Sequence, residues 1–594
     1  MGVGWAARRT FPTTAQELMS SIMSNTSSTV ARNLLVALSP MALSLASLAF
    51  AQGPPPPPPP GGGGGGNPPP ALPLPPQVPT PGGNPFSQAK ANLGKMLFWE
   101  EQMSSNNRVA CGTCHLPSAG GGDPRRVVNP GGDGITPSAD DIFGSPGVPS
   151  SDTINRYQPD PRFGFQPQVT GRASPSAITS AWFDSLFWDG RAEDRFVNPE
   201  TGLTSLFQNG ALESQAVAPI LDSTEMGHDN RTWAQATSKL VTAIPMALAT
   251  NLPADVSAAL AINPTYPDLF TAAFGDPAIT AERIAFAIAT YERTLVPNQS
   301  PYDQFAAGNQ NALTAAQVRG WLTFTGPGRC NRCHTPGLFS DRQFRNLGLR
   351  PLGEDRGRQI VTGNPADAGK FKVPSLRNSG LRSSFMHNGQ FTSMQQVINF
   401  YANGGGPNPQ NRDPLLQALG LNGGQRADLA DFVANALTDP RVANEQFPFD
   451  RPTLRSELLP VNGNLFGFGT AGSGGFAPEM LAGVPANIGN IDFKVGVSNA
   501  MGSAGAILAV ASQAAPPFTF VGGTLVLVDM GSPLIFPLTT SGPAVAGQGF
   551  ATVQFPLPKD PVLRGLQVFA QWFVFDPKIS AIAASSQAAT INVF

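Results

Sequence analysis

The pattern of apolar and polar positions divides the chain into unlike stretches. An uncharged apolar run, Asn33 to Phe50, follows Arg32 and ends on the small-x-small sequence Ala49-Phe50-Ala51. It reads as a secretory signal peptide occupying 1–51. The competing reading is a membrane anchor; Pro40 inside the run and the cleavage sequence stand against it. Pro54 to Pro60, Gly61 to Gly66 and a Pro-rich continuation cannot build a core, and 52–85 reads as a linker. From about 86 to 450 apolar residues recur at helical spacing between Gly-, Pro- and Asp-rich loops. Thr280-Ala-Glu-Arg opens a helix with Ile284, Ile288, Tyr291 and Leu295 on one face. Thr314-Ala-Ala-Gln317 and Thr392-Ser-Met-Gln395 are capping boxes. The helix after the second aligns Met394, Val397, Ile398 and Tyr401 and stops at Gly404-Gly405-Gly406. Beyond about 455 the period changes. Ile491 to Val497, Thr524 to Val528, Ala551 to Phe555, Leu566 to Phe575 and a last run, Ala589 to Phe594, alternate or are rich in β-branched and aromatic residues. The pattern predicts a mainly α fold followed by a C-terminal all-β sandwich-like domain, 451–594.

Composition changes this picture at two points. With 38 Lys+Arg against 40 Asp+Glu, the net charge of −2 excludes an electrostatic nucleic-acid binder. All four cysteines and two of the four histidines fall in two copies of one pentapeptide, Cys111-Gly-Thr-Cys114-His115 and Cys330-Asn-Arg-Cys333-His334. C-x-x-C-H is the attachment site of c-type haem: two thiols form thioethers to one porphyrin and the adjacent His ligates the iron. A structural zinc site wants its C-x-x-C pairs closer together, and a redox dithiol does not require His after both pairs. Two covalently bound haem c groups follow, with His115 and His334 as metal ligands. The helical part then becomes two haem c domains, 86–308 and 309–450. Haem c is attached after export, which agrees with the signal peptide and places the protein in the periplasm or otherwise outside the cytoplasm.

The stretch from about 86 to 440 resembles the bacterial dihaem cytochrome c peroxidase family, including its quinone-maturing branch. The resemblance rests on an ordered set: Leu93-Gly-Lys-Met-Leu-Phe98, Phe187-Trp-Asp-Gly-Arg191, Glu225-Met-Gly227, Ala287-Ile-Ala-Thr-Tyr-Glu-Arg-Thr-Leu295, Val361-Thr-Gly-Asn-Pro365, Phe371-Lys-Val-Pro-Ser-Leu-Arg-Asn378 and Met386-His-Asn-Gly389. It implies that the N-terminal haem is the peroxide site and the C-terminal haem relays electrons. It implies Glu225 as the catalytic acid–base, against the plain reading of a surface carboxylate. It implies Trp188 between the haems, against a simple core aromatic. It implies hydrogen peroxide as substrate, a small c-type cytochrome or copper protein as donor, and a homodimer, as relatives often form.

Several positions depart from the family. Relatives carry a His that caps the resting first haem; Gly131 stands at that spacing, and no His occurs between His115 and His228. The first haem is therefore expected open, with His228, directly after Glu225-Met-Gly227, as a candidate distal ligand, a pocket residue or a satisfied surface residue. For the second haem, the usual Met position falls on Tyr401, with Met394 on the same helical face as its competitor and a core aromatic as the third reading. His387 is expected to bind a haem propionate or the backbone. Ala173 stands where relatives place a calcium-binding Asn, which leaves calcium uncertain. An insertion around Val197 to Gln208 lengthens the gap between Trp188 and Glu225. Three functions follow: a dihaem peroxidase; a dihaem oxidase or oxygenase acting on a protein or organic substrate, as in quinone maturation or rubber oxygenation; and a non-catalytic electron carrier, against which Glu225 and the missing cap argue.

Overall fold

The computed structural model describes residues 71–458 and 464–594. Backbone contacts divide the chain after Pro68, and every described residue belongs to the second unit, Pro69–Phe594. The expected signal peptide and most of the linker lie outside the described residues. The end of the linker, from Ala71, does not hang free. Leu74 is buried, the Leu72 amide donates to the Tyr302 hydroxyl, and the Pro79 carbonyl accepts from Arg293. The apolar residues among these prolines give the stretch something to bury. Among the described residues no helix is long and apolar enough to cross a membrane.

Helix α1, Gln88–Phe98, is capped by Ser87 and packs on the long helix α4, Ala281–Glu292. The crossing is close: a Cβ on Gly94 would sit 1.8 Å from the Ala287 carbonyl oxygen. Thr280 caps α4 as its sequence requires, and Ile284, Ile288 and Tyr291 enter the core with Leu93, Met96 and Leu97. Between these two helices in the chain come the single turn α2, Cys111–Cys114, and α3, Trp233–Thr242. A second core gathers Tyr302, Trp321, Phe324, Phe339 and Phe432. It receives α5, Ala315–Thr325, whose Thr314/Gln317 capping box forms as expected. It also receives α6, Met394–Ala402, and α7, Gly423–Asp431. The α6 cap sits one residue later than expected. Ser393 caps Gln396, and the Gln396 carboxamide oxygen takes both the Thr392 and Ser393 amides. Thr392 and Ser393 each stand three before a glutamine, so the spacing alone offers two equivalent boxes, and the one at Ser393 forms.

The C-terminal region is sheet-rich and antiparallel. Its strands are β1 (Asn464–Phe466), β2 (Glu479–Leu481), β3 (Lys494–Ala500), β4 (Gly505–Ala511), β5 (Leu534–Thr539), β6 (Gly549–Gln554), β7 (Gln567–Val574) and β8 (Ala584–Asn592). One sheet runs β1-β8-β7-β4-β5, a second β2-β3-β6, and Phe520–Val521 pairs with Thr524–Leu525 in a small hairpin. The sequence pattern missed the short strands β1 and β2 as well as β4 and β5. Gly-Ala-Ile-Leu-Ala-Val-Ala has few β-branched residues, and β5 carries Pro537, which the sheet tolerates because β5 is an edge strand. The expected run Thr524 to Val528 is a strand only at Thr524–Leu525.

Candidate functional site

The two pentapeptides open onto two cavities that share a wall. Cys111, Cys114 and His115 line one of about 470 Å³; Cys330, Cys333 and His334 line one of about 220 Å³. Pro175, Ser176, Trp188 and Lys372 line both. The first pentapeptide is a helical turn laid on the buried Trp99; a Cβ on Gly112 would lie 2.2 Å from that indole, so the first of the two residues between the thiols has to be glycine. All four thiols are free, and burial pushes Cys111 and Cys330 up to about 12. Both histidines are held alike. His115 Nδ1 lies 3.0 Å from the Gly121 carbonyl and His334 Nδ1 2.9 Å from that of Phe339. With the proton on Nδ1, each ring leaves Nε2 free for a metal. Burial lowers both below the usual imidazole range, so both are neutral.

This donor set fits haem c twice over: paired uncharged thiols, a neutral oriented imidazole and an apolar cavity at each site. Lys372 adds to the fit. It is buried, lies 3.9 Å over the Phe183 ring, and pairs with no carboxylate among the described residues; burial pulls it down to about 7. A buried lysine facing both cavities is a cation in want of an anion, and haem propionates are anions.

The cavities differ in what else they present. Glu225 faces the His115 cavity together with Asp222, Arg191 and Glu292. Burial, then the neighbouring Asp222, raises its carboxyl to about 7, and Arg191 moderates the rise. A carboxyl poised there can both accept and return a proton at neutral pH. Glu292 is buried, and its Oε2 has no hydrogen-bond partner; burial raises it to about 8. Sequence reasoning passed over Glu292, although it stands four residues after Ile288 on the buried face of α4, where an acid is out of pattern. Lys372 was passed over as well, inside the quoted Phe371-Lys-Val-Pro. His115 is the only histidine lining this cavity among the described residues.

The structure does not bring His228 into that group. Its Nδ1 contacts the Asp229 carbonyl at 3.0 Å, and its charged neighbours are Arg231, Asp492 and Lys494, on the side of the C-terminal region. The chain turns over Ser223–Met226 before reaching it, with the Met226 and Gly227 amides donating to the Asp222 carbonyl. Gly131 is also absent from the cavity wall; it sits in a turn at φ 64°. The insertion forms a hairpin, Phe196–Val197 with Thr204–Leu206, and contributes no residue to the wall.

On the His334 side, Tyr401, Met394 and His387 all line the cavity. Burial, and then the two cysteines, raise the Tyr401 phenol well above its ordinary range. His387 stacks on Phe371 with ring centroids 3.6 Å apart and meets the edge of Trp188 at 6.4 Å. Burial drives its imidazole down to about 3, so it is neutral. Trp188 Nε1 donates to the Ala173 carbonyl at 2.7 Å, and the Ala173 amide donates to the His387 carbonyl at 2.8 Å. Trp188 and His387 each follow a non-glycine residue in left-handed conformation, Phe187 at φ 63° and Met386 at φ 69°. Such conformations persist only where the surroundings impose them. Arg172 ties the same wall together, bonding Asp189 and Asp355 at 2.7 Å.

Two C-x-x-C-H cavities with a shared aromatic wall and a titratable carboxyl in one of them define an oxidoreductase with two covalently bound haem c groups. Residues 88–311 match the family model described as di-haem cytochrome c peroxidase. The chain is 30% identical over 422 residues to the cytochrome-c peroxidase IdrP1 of Pseudomonas sp. strain SCT, covering 66% of this chain and 90% of that one. It is 30% identical over 370 residues to the methylamine utilization protein MauG of Methylorubrum extorquens, covering 62% and 83%. It is 28% identical over 327 residues to the cytochrome c551 peroxidase of Nitrosomonas europaea, covering 54% and 75%. The chain belongs to the di-haem cytochrome c peroxidase family.

Proposed function

We propose that this protein reduces hydrogen peroxide to water in the His115 cavity, with electrons arriving through the His334 cavity from a small c-type cytochrome or copper protein. In this reading 86–308 is the peroxidatic domain, 309–450 the electron-transfer domain and 451–594 an accessory domain, and the protein is exported. Cys111, Cys114 and His115 would hold one haem, and Cys330, Cys333 and His334 the other. Bound haem supplies each cavity with a Lewis-acidic iron that exchanges single electrons.

Reducing one peroxide to two waters takes two electrons and two protons. The O–O bond breaks most readily if a proton leaves one oxygen and reaches the other, so that water departs. Glu225 is suited to that transfer: its carboxylate oxygen accepts the proton and hands it on. Burial keeps the carboxyl near neutrality, where both directions are accessible. The absence of any second histidine from this cavity among the described residues supports a site left open to peroxide. Trp188, in the wall of both cavities and edge-on to His387, is the side chain suited to carry electrons between them.

The observation that carries this reading is the placement of Glu225 in the cavity of His115 with its carboxyl raised to about 7. Steady-state peroxide consumption with reduced c-type cytochrome tests it. Glu225→Gln should slow turnover with both haems still attached; turnover at the wild-type rate would remove Glu225 from the mechanism.

Tyr401 favours a second reading. A phenol in the His334 cavity, in place of a thioether, would give the second haem a lower potential and suit oxidation of a protein or organic substrate. Met394 lines the same cavity and supports the peroxidase. The spectrum of Tyr401→Phe against that of Met394→Leu decides which side chain reaches the iron.

A further inference from the structure

An ionic cluster of buried cations around a half-buried acid joins the sheet-rich C-terminal region to the loop that carries Glu225. Asp492, just before β3, pairs through Oδ2 with Lys239 Nζ of α3 at 2.6 Å, and Lys239 also donates to the Ser104 carbonyl at 2.6 Å. Beside this pair lies Arg231, buried, with Nη1 donating to the carbonyls of Met103 and Ile220 at 2.8 Å and of Met226 at 3.4 Å. No carboxylate bonds Arg231 among the described residues, and Asp492 is the acidic group whose field offsets its charge. Two residues on, Lys494 reaches out of β3 to Ser151 Oγ at 2.9 Å and to the Asn155 carbonyl and Oδ1 at 2.7 and 2.8 Å. The Asn155 side chain donates to the Ser105 carbonyl at 2.9 Å, and the Ser105 amide donates to the Met226 carbonyl at 2.8 Å.

Both arms therefore end on one atom, the carbonyl oxygen of the residue that follows Glu225. On its other flank the same loop is held by the strand Pro146–Pro149. The Val148 amide donates to the Thr224 carbonyl at 3.1 Å, and Gly147 has no room for a Cβ, which would lie 2.0 Å from that carbonyl oxygen. Asp492 is the acid common to the cations of this cluster. Without its charge Lys239 and Arg231 stand buried and uncompensated, and the relief open to them is to move or admit water, which releases the Met226 carbonyl.

We infer that Asp492, seconded by Lys494, is a positioning residue for Glu225, so that the C-terminal region completes the acid–base site from outside the segment that matches the family model. The inference rests on the role given to Glu225 above. The test uses the full two-haem protein and peroxide, with haem content and melting temperature measured on each variant. Asp492→Asn should lower kcat about ten- to a hundredfold, as expected for misplacement of a catalytic group, with KM for the donor unchanged. Asp492→Glu should recover most of the loss. The Asp492→Asn/Glu225→Gln double variant should be no slower than Glu225→Gln alone, because the effect passes through Glu225. Independent losses that multiply in the double variant, or wild-type turnover by Asp492→Asn, overturn the inference while leaving the role of Glu225 standing. Wild-type turnover by Glu225→Gln instead overturns that role, and this inference with it. If Asp492→Asn does not fold, Lys494→Gln, which cuts the second arm to the Met226 carbonyl, carries the same double-variant comparison with Glu225→Gln.

Discussion

The two cavities begin from the same pentapeptide and hold their histidines in the same way, by a backbone carbonyl on Nδ1. They part company in what faces the histidine. The His115 cavity presents carboxyls, Glu225 and Glu292, whose protons are held up toward and beyond neutrality by burial. The His334 cavity presents Tyr401, Met394 and a neutral His387, and its carboxylates, Asp355 and Asp413, are paired with Arg172 and Arg345. Among the described residues the carboxyls raised to neutrality or beyond face only the His115 cavity, whereas Lys372, pulled down to about 7, lines both. In the proposed reading the motif sets where each haem is held, and the opposite wall decides what it does.

The largest expected effect is on the proton-moving side. Glu225→Gln should cut peroxide turnover by about 10²- to 10⁴-fold, the usual worth of a positioned acid–base group. The wild-type rate should rise with pH through about 7, because Glu225 must be unprotonated to accept a proton, and that limb should vanish in the variant. Next is attachment. Gly112→Ala forces a methyl into the Trp99 ring and should lower haem content from two per chain toward one, with the His334 haem retained. Equal loss of both haems would show instead that the shared wall couples attachment at the two sites. Tyr401→Phe should shift the potential of the second haem alone, upward if the phenolate is its ligand, with the first unaffected. The smallest effect concerns stability. Glu292 has its carboxyl raised in the folded state, so its contribution is full below about pH 4.5 and lost as pH rises through about 8. Glu292→Gln should therefore melt higher than the wild type at pH 9 and show little difference at pH 5.

What could be read beforehand follows from the range of the interactions involved. The haem motifs, the α4 cap at Thr280 and the helix stop at Gly404 are local and stand in the sequence as they stand in the fold. The edge strand β5 was hidden by Pro537, and β4 by its alanines, because their strand character comes from neighbours in the sheet. Adjacency in sequence misled once: His228 follows Glu225-Met-Gly227 directly, yet the turn carries it away from the cavity toward Asp492. Lys239, Asp492 and Lys494 carry no sequence signal at all, since nothing local shows that residues so far apart meet as one cluster.

The most direct test of the central claim is electron paramagnetic resonance of the oxidised protein, recorded before and after rapid mixing with one equivalent of hydrogen peroxide. The account predicts one high-spin and one low-spin ferric haem, with fast loss of the high-spin signal that Glu225→Gln slows. Two low-spin haems that do not respond to peroxide until the protein is reduced would contradict it.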